Sequence, residues 1–412
     1  MPGRLFYIND VTMIELQLSI MYSTDNVIEA VRAALADFEA THHVRVHVQI
    51  LTWETAWSEL VKAALYKTGP DVSEIGTTWV DSFVSLQALR PFEPHEVNLL
   101  GEASVFLPSL WQSGVILGRP QQWAIPWEAD IRLIYYRRDL LLQAGVDEDT
   151  AFQSFEQLNQ TLARLQQSGV AVPLAFNMLR QPRTLHFLAS WVWGAGGRFI
   201  SPSGRHVLFH TAEAREGLRA YFELRRYLAP AAHEAPDQKN IVPLMFLEGK
   251  IAVFVTGYWL TNEINQGRAT PEVTANFGVA RVPQSPYIGG GNFVVWQHNR
   301  HPEATIALLH YLTSLKVQTE VLTNHGRLPA RLEALNAPPF TTDPHYQLLS
   351  AGLQKGQSFQ ATHLWGLIED KLAIAVSKAW SDLLAHPELS VEEAIQKYID
   401  PLAQQLNHHL AA

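Results

Sequence analysis

The sequence predicts an α/β protein with two lobes, in which helices cover the faces of a mainly parallel sheet. Segments with the patterns of strands and helices alternate through the first third of the chain, which is the order of a parallel sheet. The length of 412 residues exceeds what one hydrophobic core usually organises, so we expect a second lobe. Polar and aromatic residues follow each of the first three predicted strands, at the edge where such sheets bind ligands.

The first three strands and two helices are predicted from hydrophobic periodicity. Ile14–Met21 has the pattern of a strand, and Asp25 is the predicted N-cap of the helix after it. One face of that helix carries the apolar residues Val27, Ile28, Val31, Leu35 and Phe38. Val44–Ile50 alternates strictly and is β-branched, which predicts a second strand. A helix is expected over about 55–67, and a third strand from Asp71.

The rest of the chain is mostly helical with a few returning strands. Residues 137–248 have helical patterns, and Lys250–Trp259 is predicted to be a strand that ends on Gly-Tyr-Trp. Two further strands flank the segment QSPYIGG. Helices are expected after Pro302, with breaks near Pro338. No internal repeat is visible.

Composition and charge exclude several classes of protein. The net charge of −9, without any run rich in Lys and Arg, argues against a nucleic-acid partner. The absence of cysteine excludes disulfides, thiolate metal sites and a cysteine nucleophile. No stretch approaches the roughly 18 apolar residues of a membrane span. Asn9, Asp10, Thr12 and Glu15 interrupt every candidate secretion signal, so the chain as given predicts none.

Four segments, in order, resemble a known family. They are PDVSEIGTTWVDSFVSLQALRPF, WAIPWEADIRLIYYRRDLL, FLEGKIAVFVTGYWLTNEI and YIGGGNFVVWQHNRHPEATIALLHYLTSLKVQTEVLTNHGRLPAR. In this order they are similar to extracellular solute-binding proteins of ABC importers, in the branch of maltose- and trehalose-type sugar-binding proteins. The resemblance implies a two-lobed periplasmic-binding-protein fold of type II with a ligand cleft between the lobes.

The resemblance also implies where the lobes lie and what they work with. The first lobe is expected in 1–126 and 288–325, the second in 133–282 and 330–412, and the crossings at 127–132, 283–287 and 326–329. The expected partners are a carbohydrate and the permease subunits of an ABC transporter, with no cofactor, no metal and a monomeric chain. The family is extracytoplasmic, periplasmic or at the cell surface, whereas the missing signal leaves a cytoplasmic location open.

The expected site combines aromatic planes with polar groups, because sugars present C–H faces and hydroxyl edges. The resemblance assigns sugar stacking to Trp259 and Trp365 and a carboxylate acceptor to Asp130. Arg132 is expected to orient Asp130. The remaining candidates are Tyr22, Trp53, Thr78, Trp79, Trp127, Asn177, Trp193, Tyr258, Gly290, Gly291, Asn292 and Arg327; most of them lie after predicted strands or in the resembling segments, and Trp193 lies at the end of a predicted helix.

Each candidate also has a purely structural interpretation. Trp365 can equally pack in a core, and Asp130 and Arg132 can form a simple ion pair. The glycines can serve a tight turn, and Arg327 can form a salt bridge. The consecutive tyrosines Tyr135-Tyr136 fit a core strand better than an iron clamp, and His42, His43 and His47 lack metal-ligand spacing.

The sequence therefore predicts a binding protein rather than an enzyme. It is expected to hold a neutral mono- or oligosaccharide between its lobes and to close about a hinge. Two alternatives remain open, namely a carbohydrate-active enzyme, for which Glu128 and Asp130 would be the paired carboxylates, and a sugar sensor without a transport role.

Overall fold

One long strand connects two halves of a nine-stranded sheet. The computed structural model describes residues 13–176, 184–228 and 238–411. Its strands are β1 (Ile14–Met21), β2 (Val44–Leu51), β3 (Val72–Gly76), β4 (Val115–Ile116), β5 (Arg119–Gln122), β6 (Ile125–Arg137), β7 (Leu174–Ala175), β8 (Val253–Gly257), β9 (Phe277–Arg281), β10 (Ile288–Val295) and β11 (Leu328–Pro329). The order in the sheet is β2-β1-β3-β10-β6-β8-β7, and both β9 and β11 also pair with β6. β4 and β5 form a separate two-stranded sheet.

The first three strands are parallel, as the sequence predicts. β1 pairs with β2 from Ile14 opposite Val44 to Met21 opposite Leu51, and β3 lies on the other side of β1. β10 returns antiparallel between β3 and β6. The parallel strands therefore end together at one edge, where the predicted polar residues follow them.

β6 changes neighbours halfway along its length. Its first part, up to Ile131, pairs with β10 and β11, whereas it pairs with β8 from Arg132 onward and with β9 from Leu133 onward. We call β1, β2, β3, β10 and β11 the first sheet half and β7, β8 and β9 the second sheet half. All residues of β6 are buried except Asp130, which is partly exposed at the point where the neighbours change.

Helices cover both halves. They are α1 (Asp25–His42), α2 (Ala56–Tyr66), α3 (Val80–Ser85), α4 (Pro94–Leu100), α5 (Glu102–Val105), α6 (Pro108–Ser113), α7 (Arg138–Gln143), α8 (Phe155–Gln167), α9 (Thr184–Gly194), α10 (Ala212–Glu223), α11 (Gln238–Leu247), α12 (Trp259–Asn265), α13 (Pro271–Asn276), α14 (Pro302–Leu312), α15 (Leu315–Val317), α16 (Pro344–Lys355), α17 (Trp365–Ala385), α18 (Val391–Tyr398) and α19 (Asp400–Ala411). Among the described residues, no helix is both long and apolar enough to cross a membrane.

Two local predictions were wrong. The N-cap of α1 is Thr24, whose hydroxyl accepts from the backbone N–H of Val27, and Asp25 is the first helical residue. An acid there still favours the helix, because the first turn carries a positive partial charge. The strand predicted to reach Trp259 ends at Gly257, and Trp259 instead begins α12.

The tyrosine pair of β6 lies in the core, as predicted. Tyr135 and Tyr136 are buried and point to opposite faces of the strand, into two different apolar clusters. The Tyr135 hydroxyl lies 2.8 Å from that of Thr261, and the Tyr136 hydroxyl donates to Glu148 at 2.6 Å. A third, smaller cluster contains Trp79 and Phe83 from the first part of the chain together with Ala361 from the last.

Candidate functional site

Three of the predicted site residues surround one glycine at the junction of the sheet halves. On β6, Asp130 lies opposite Gly289 and Arg132 lies opposite Gly257. A Cβ atom on Gly257 would lie 2.7 Å from Asp130 Oδ1, 2.8 Å from Trp259 Cδ1 and 2.9 Å from Arg132 Nη1. The absence of a side chain at Gly257 is what allows a carboxylate, a guanidinium and an indole to converge there.

Arg132 fixes the orientation of Asp130. Its Nη1 donates to Asp130 Oδ2, and its Nη2 lies 3.1 Å from His186 Nδ1. The guanidinium carbon also lies 5.4 Å from the ring centre of Phe187 and 5.7 Å from that of Tyr287. The Arg132 side chain is only 5% exposed, whereas that of Asp130 is 32% exposed. The carboxylate is therefore held from the buried side and open on the other.

The contact with Arg132 determines the tautomer of His186. A guanidinium has only donors, so Nδ1 of His186 must accept, and the ring hydrogen then lies on Nε2. Nε2 lies 3.0 Å from the hydroxyl oxygen of Tyr287, with the two rings stacked at 4.1 Å. Burial raises the pKa of Tyr287, which keeps its phenol neutral. A polar chain thus runs from Asp130 through Arg132 and His186 to Tyr287.

Glu369 faces this chain from α17, and the sequence analysis missed it. Its Oε1 lies 3.9 Å from His186 Nε2, and its side chain is 13% exposed. Burial raises the pKa of Glu369 to about 8, although the Thr78 hydroxyl and the Trp365 indole N–H lower it in part. The buried Oε1 of Glu369 has no hydrogen-bond partner among the described residues. In the sequence, Glu369 is one of three acids in α17, and only the fold distinguishes it from the other two.

Further aromatic rings lie close to Tyr287. Trp193 stacks over Tyr287 at 6.3 Å with an interplanar angle of 13°, and Phe359 lies 5.3 Å from Trp193. Phe359 in turn lies 4.8 Å from Trp365. Trp193 is half-buried, whereas Trp365 is only 1% exposed. Of these two predicted platforms, Trp193 therefore offers the more accessible face.

A second buried cluster joins three strands of the first sheet half and β6. Arg327 donates through Nε to Glu128 Oε2 at 2.7 Å and through Nη2 to Glu128 Oε1. Glu74 Oε2 accepts from the backbone N–H of Met21 at 2.8 Å. A Cβ atom on Gly291 would clash with Glu74 Oε1. Gly291 therefore makes room for a buried carboxyl.

The charges in this cluster are tightly coupled. Burial, and then the neighbouring Glu128, raise the pKa of Glu74 well above its usual range. Burial lowers the pKa of Arg327, but the charge and hydrogen bonds of Glu128 outweigh it and leave that pKa above its ordinary value. Arg327 thus forms the salt bridge that the sequence analysis allowed as an alternative to ligand contact, and burial beside Glu128 disfavours the charged form of Glu74.

The aromatic residues predicted after strand ends differ in accessibility. Tyr22 is 44% exposed, and its hydroxyl donates to Asp25 at 3.2 Å. Trp53 is half-buried with its ring 5.6 Å from that of Trp79. The other members of the set are buried, and they are Trp79, Trp127 (ring 4.8 Å from Phe293) and Tyr258 (ring 6.2 Å from Tyr346).

The remaining predicted residues lie inside the fold or outside its described part. Asn292 is fully buried and donates to Ser113 at 2.9 Å, and Thr78 is buried next to Glu369. Gly290 has a positive φ of 141°, and a Cβ there would meet the carbonyl of Glu128. Asn177 lies outside the described residues. Within 13–176, 184–228 and 238–411 no group of three acids or histidines could hold a metal ion.

Comparison with known proteins identifies the family. The model of the family described as bacterial extracellular solute-binding protein matches residues 33–347, well over half of the chain. The diacetylchitobiose binding protein DasA of Streptomyces coelicolor is 24% identical over 315 residues, which cover 73% of this chain and 69% of that protein.

Solved structures share the fold across nearly the whole chain. A solute-binding protein of an ABC transporter from Thermotoga lettingae, bound with α-D-tagatose, superposes with a TM-score of 0.79 at 21% identity and covers 96% of this chain and 100% of its own. The sugar-binding protein MalE from Xanthomonas citri has a TM-score of 0.79 at 22% identity, covering 96% and 97%. The shared fold and the match to the family model agree with each other. The chain belongs to the bacterial extracellular solute-binding proteins.

Proposed function

We propose that this protein is the substrate-binding component of an ABC-type importer and that it binds a neutral mono- or oligosaccharide between its lobes. The observation that carries the proposal is the cluster around Gly257. There, an open carboxylate oxygen of Asp130 stands beside the half-buried indole of Trp259. A sugar needs both elements at once, since its hydroxyls require acceptors at the ring edge and its C–H patches require an apolar plane.

The named ligands of similar proteins support a carbohydrate. DasA is named for diacetylchitobiose, the Thermotoga lettingae structure holds tagatose, and the Xanthomonas citri protein is named as sugar-binding. These ligands differ in size and type. Their common property is a neutral ring with several hydroxyl groups, which is the class we propose here.

Exposure divides the candidate residues into contacts and supports. Direct contact is proposed for the accessible ones, which are Tyr22, Trp53, Asp130, Trp193 and Trp259. Arg132 and His186 orient Asp130 from the buried side. The buried members of the predicted set, among them Trp79, Trp127 and Asn292, shape the walls through packing and hydrogen bonds.

Closure is proposed to occur about the crossings between the lobes. The first lobe would comprise residues up to 126 and 288–325, the second 133–282 and 330–412, joined at 127–132, 283–287 and 326–329. The change of neighbours along β6 supports this division. A ligand can favour the closed form only by touching both sides, because equal affinity for open and closed forms shifts nothing.

The role is proposed to be binding and delivery, without a chemical step on the sugar. The closed, loaded protein would dock on the permease subunits of its transporter as a monomer, outside the cytoplasm. An enzyme would release products from oligosaccharides. Prolonged incubation with a panel of oligosaccharides, followed by chromatography, should therefore return every substrate unchanged, and any cleavage would refute this role.

Isothermal titration against a panel of neutral and charged carbohydrates tests the binding proposal. We expect at least one neutral sugar to bind with a dissociation constant on the order of micromolar. Asp130→Asn should weaken that sugar by about 1–3 kcal/mol, since it replaces a charged acceptor by a neutral one. Asp149→Asn, at an exposed position in the second lobe, is the matched control and should bind normally. Binding of charged ligands alone would refute the proposal.

A further inference from the structure

Two tryptophans that follow β2 are accessible and lie against a third that follows β3. Trp53 is half-buried just beyond the end of β2, and Trp57, in the first turn of α2, is 40% exposed. Their rings lie 5.6 and 5.3 Å from the ring of Trp79, at interplanar angles of 70° and 71°. Trp79 itself is only 9% exposed, so a buried ring supports two accessible ones. We call Trp53, Trp57 and Trp79 the tryptophan cluster.

Packing fixes the rings of the tryptophan cluster. Trp57 also lies edge-on to Phe83, with the ring centres 5.6 Å apart. A Cβ atom on Gly76, the last residue of β3, would lie 3.4 Å from Trp53 Cζ3 and 3.3 Å from Trp79 Cε2. Aromatic faces held in this way suit a sugar ring, whose C–H patches need an apolar plane. Exposed apolar side chains are common on their own, so the position of the cluster must decide whether it serves a ligand.

The register of the sheet places the tryptophan cluster at the same edge as the partly exposed carboxylate of Asp130. Gly76 lies opposite Gly291 of β10, and Gly291 lies opposite Glu128 of β6. Both β3 and β6 are antiparallel to β10, so they run in the same direction. Asp130, two residues after Glu128, therefore lies beyond the carboxyl end of β3. This is the edge at which sheets of this kind bind ligands.

The same register gives the separation between the two positions. The Cα atoms of Gly76 and Asp130 are two strand spacings and two residues of rise apart, which amounts to about 12 Å. A single sugar ring is shorter than this separation. Two or more linked rings can reach from the carboxylate to the tryptophan cluster.

We propose that Trp53 and Trp57, supported by Trp79, form a second sugar subsite, and that the ligand is an oligosaccharide with one ring at Asp130 and a further ring on this subsite. The inference rests on the proposed function, because it requires a sugar at Asp130. It narrows the substrate class from mono- or oligosaccharides to chains of at least two rings. It also adds Trp57, which the sequence analysis did not select.

The affinity for sugars of increasing length tests the subsite. Isothermal titration of the intact chain uses three neutral series, namely glucose to maltotetraose, glucose to cellotetraose, and N-acetylglucosamine to its tetramer. We expect the wild type to bind the longer members of at least one series more tightly. Trp57→Leu keeps an apolar side chain but removes the flat ring. It should weaken the longer members by about three- to ten-fold, the effect of covering half of a large apolar side chain, and leave the shortest member that binds unchanged.

Tyr66→Leu is the matched control. Tyr66 is the last residue of α2 and is 76% exposed. Since α2 carries the chain away from the carboxyl end of β2, Tyr66 lies about 13 Å along the helix from Trp57 and far from this edge. Its variant should bind every sugar as the wild type does. Trp259→Ala, beside Asp130, should instead weaken all members of a series alike.

A conservative variant guards against misfolding. Trp57→Phe keeps a flat ring and should retain most of the gain in affinity with length, while circular dichroism spectra of both Trp57 variants stay native. If sugars bind but affinity does not rise with length, or Trp57→Leu weakens short and long members equally or not at all, the subsite falls and the sugar-binding proposal stands. If no member of any series binds, the proposed function falls and the subsite falls with it.

Discussion

Gly257→Ala tests whether Asp130, Arg132 and Trp259 act as one site. The added Cβ would lie 2.7–2.9 Å from one atom of each, whereas ordinary contacts of a Cβ begin at 3.4 Å. Each neighbour must therefore move away by roughly 0.5–0.7 Å. Arg132 is packed against Phe187, Tyr287 and His186, so Asp130 and Trp259, which are more exposed, should move most.

The affinity should fall more than the stability. A displaced Asp130 loses a charged hydrogen bond to the sugar, which is worth about 1.5–3 kcal/mol, or roughly 10- to 150-fold in dissociation constant. Overpacking costs about 1–3 kcal/mol of folding free energy at most, and the partly exposed neighbours should keep it near the lower value. Isothermal titration with the cognate sugar and thermal denaturation measure the two effects on the same sample.

Gly76→Ala is the matched control. Gly76 also ends a strand beside aromatic rings, but its Cβ would meet the closest atom, Trp79 Cε2, at 3.3 Å, which needs only a slight adjustment. We expect its affinity and melting temperature to stay close to those of the wild type. If Gly257→Ala binds sugar normally, or loses no more affinity than Gly76→Ala, the convergence around Gly257 is not the site.

Three further variants test other parts of the argument. Trp259→Ala should cost about 1.5–3 kcal/mol of sugar affinity without unfolding the protein, which titration and circular dichroism would measure; normal affinity with a lower melting temperature would mean a structural role. Glu369→Gln should change the pH dependence of stability. Because the pKa of Glu369 is raised to about 8, wild-type stability should fall as pH rises from the ordinary range of a carboxyl to about 8, and the Gln variant should lack this loss, so equal pH profiles of the melting temperature would contradict the prediction. Arg327→Met should cost about 3–5 kcal/mol of folding free energy by leaving Glu128 buried and unpaired, and chemical denaturation should show partial recovery in the Glu128→Gln double variant.

Local pattern was sufficient for much of the fold. The alternation in Val44–Ile50 and the helical face of α1 are short-range signals. The parallel arrangement of the strands follows from the order strand, helix, strand along the chain. The cap of α1 shows the limit of such signals. Thr24 and Asp25 are both favourable cap residues, and only the backbone conformation decides that Thr24 lies outside the helix.

The site was predictable where it lies on one strand and not where it is assembled from distant segments. Asp130 and Arg132 are two residues apart on β6, so the same face of a strand implies their contact. His186 meets Tyr287 across 101 residues, and Glu369 comes from a third segment. No periodicity marks such residues, because each looks like an ordinary polar position of a helix or loop.

The glycines illustrate how one residue type can serve two purposes. Gly290 and Gly291 were expected to bring backbone close to a ligand, yet the atoms that crowd them belong to Glu128 and Glu74. Gly257, which the sequence analysis did not select, is the glycine next to the accessible carboxylate. A glycine in a sequence indicates a close approach but does not identify what approaches.

The buried carboxylate of Glu128 and the partly exposed carboxylate of Asp130 have different proposed roles, structural support and sugar binding respectively. Glu128 and Arg327 pair in the interior beside Glu74, so removing either member of the pair leaves a buried charge, and the pair holds β6 to the residue that precedes β11. Asp130 is held on one side only, and its other side is open. Arg132 is the ion-pair partner of Asp130, and Arg327 is the ion-pair partner of Glu128. The difference in exposure between these two pairs is therefore the physical reason to place the sugar at Asp130 and not at Glu128.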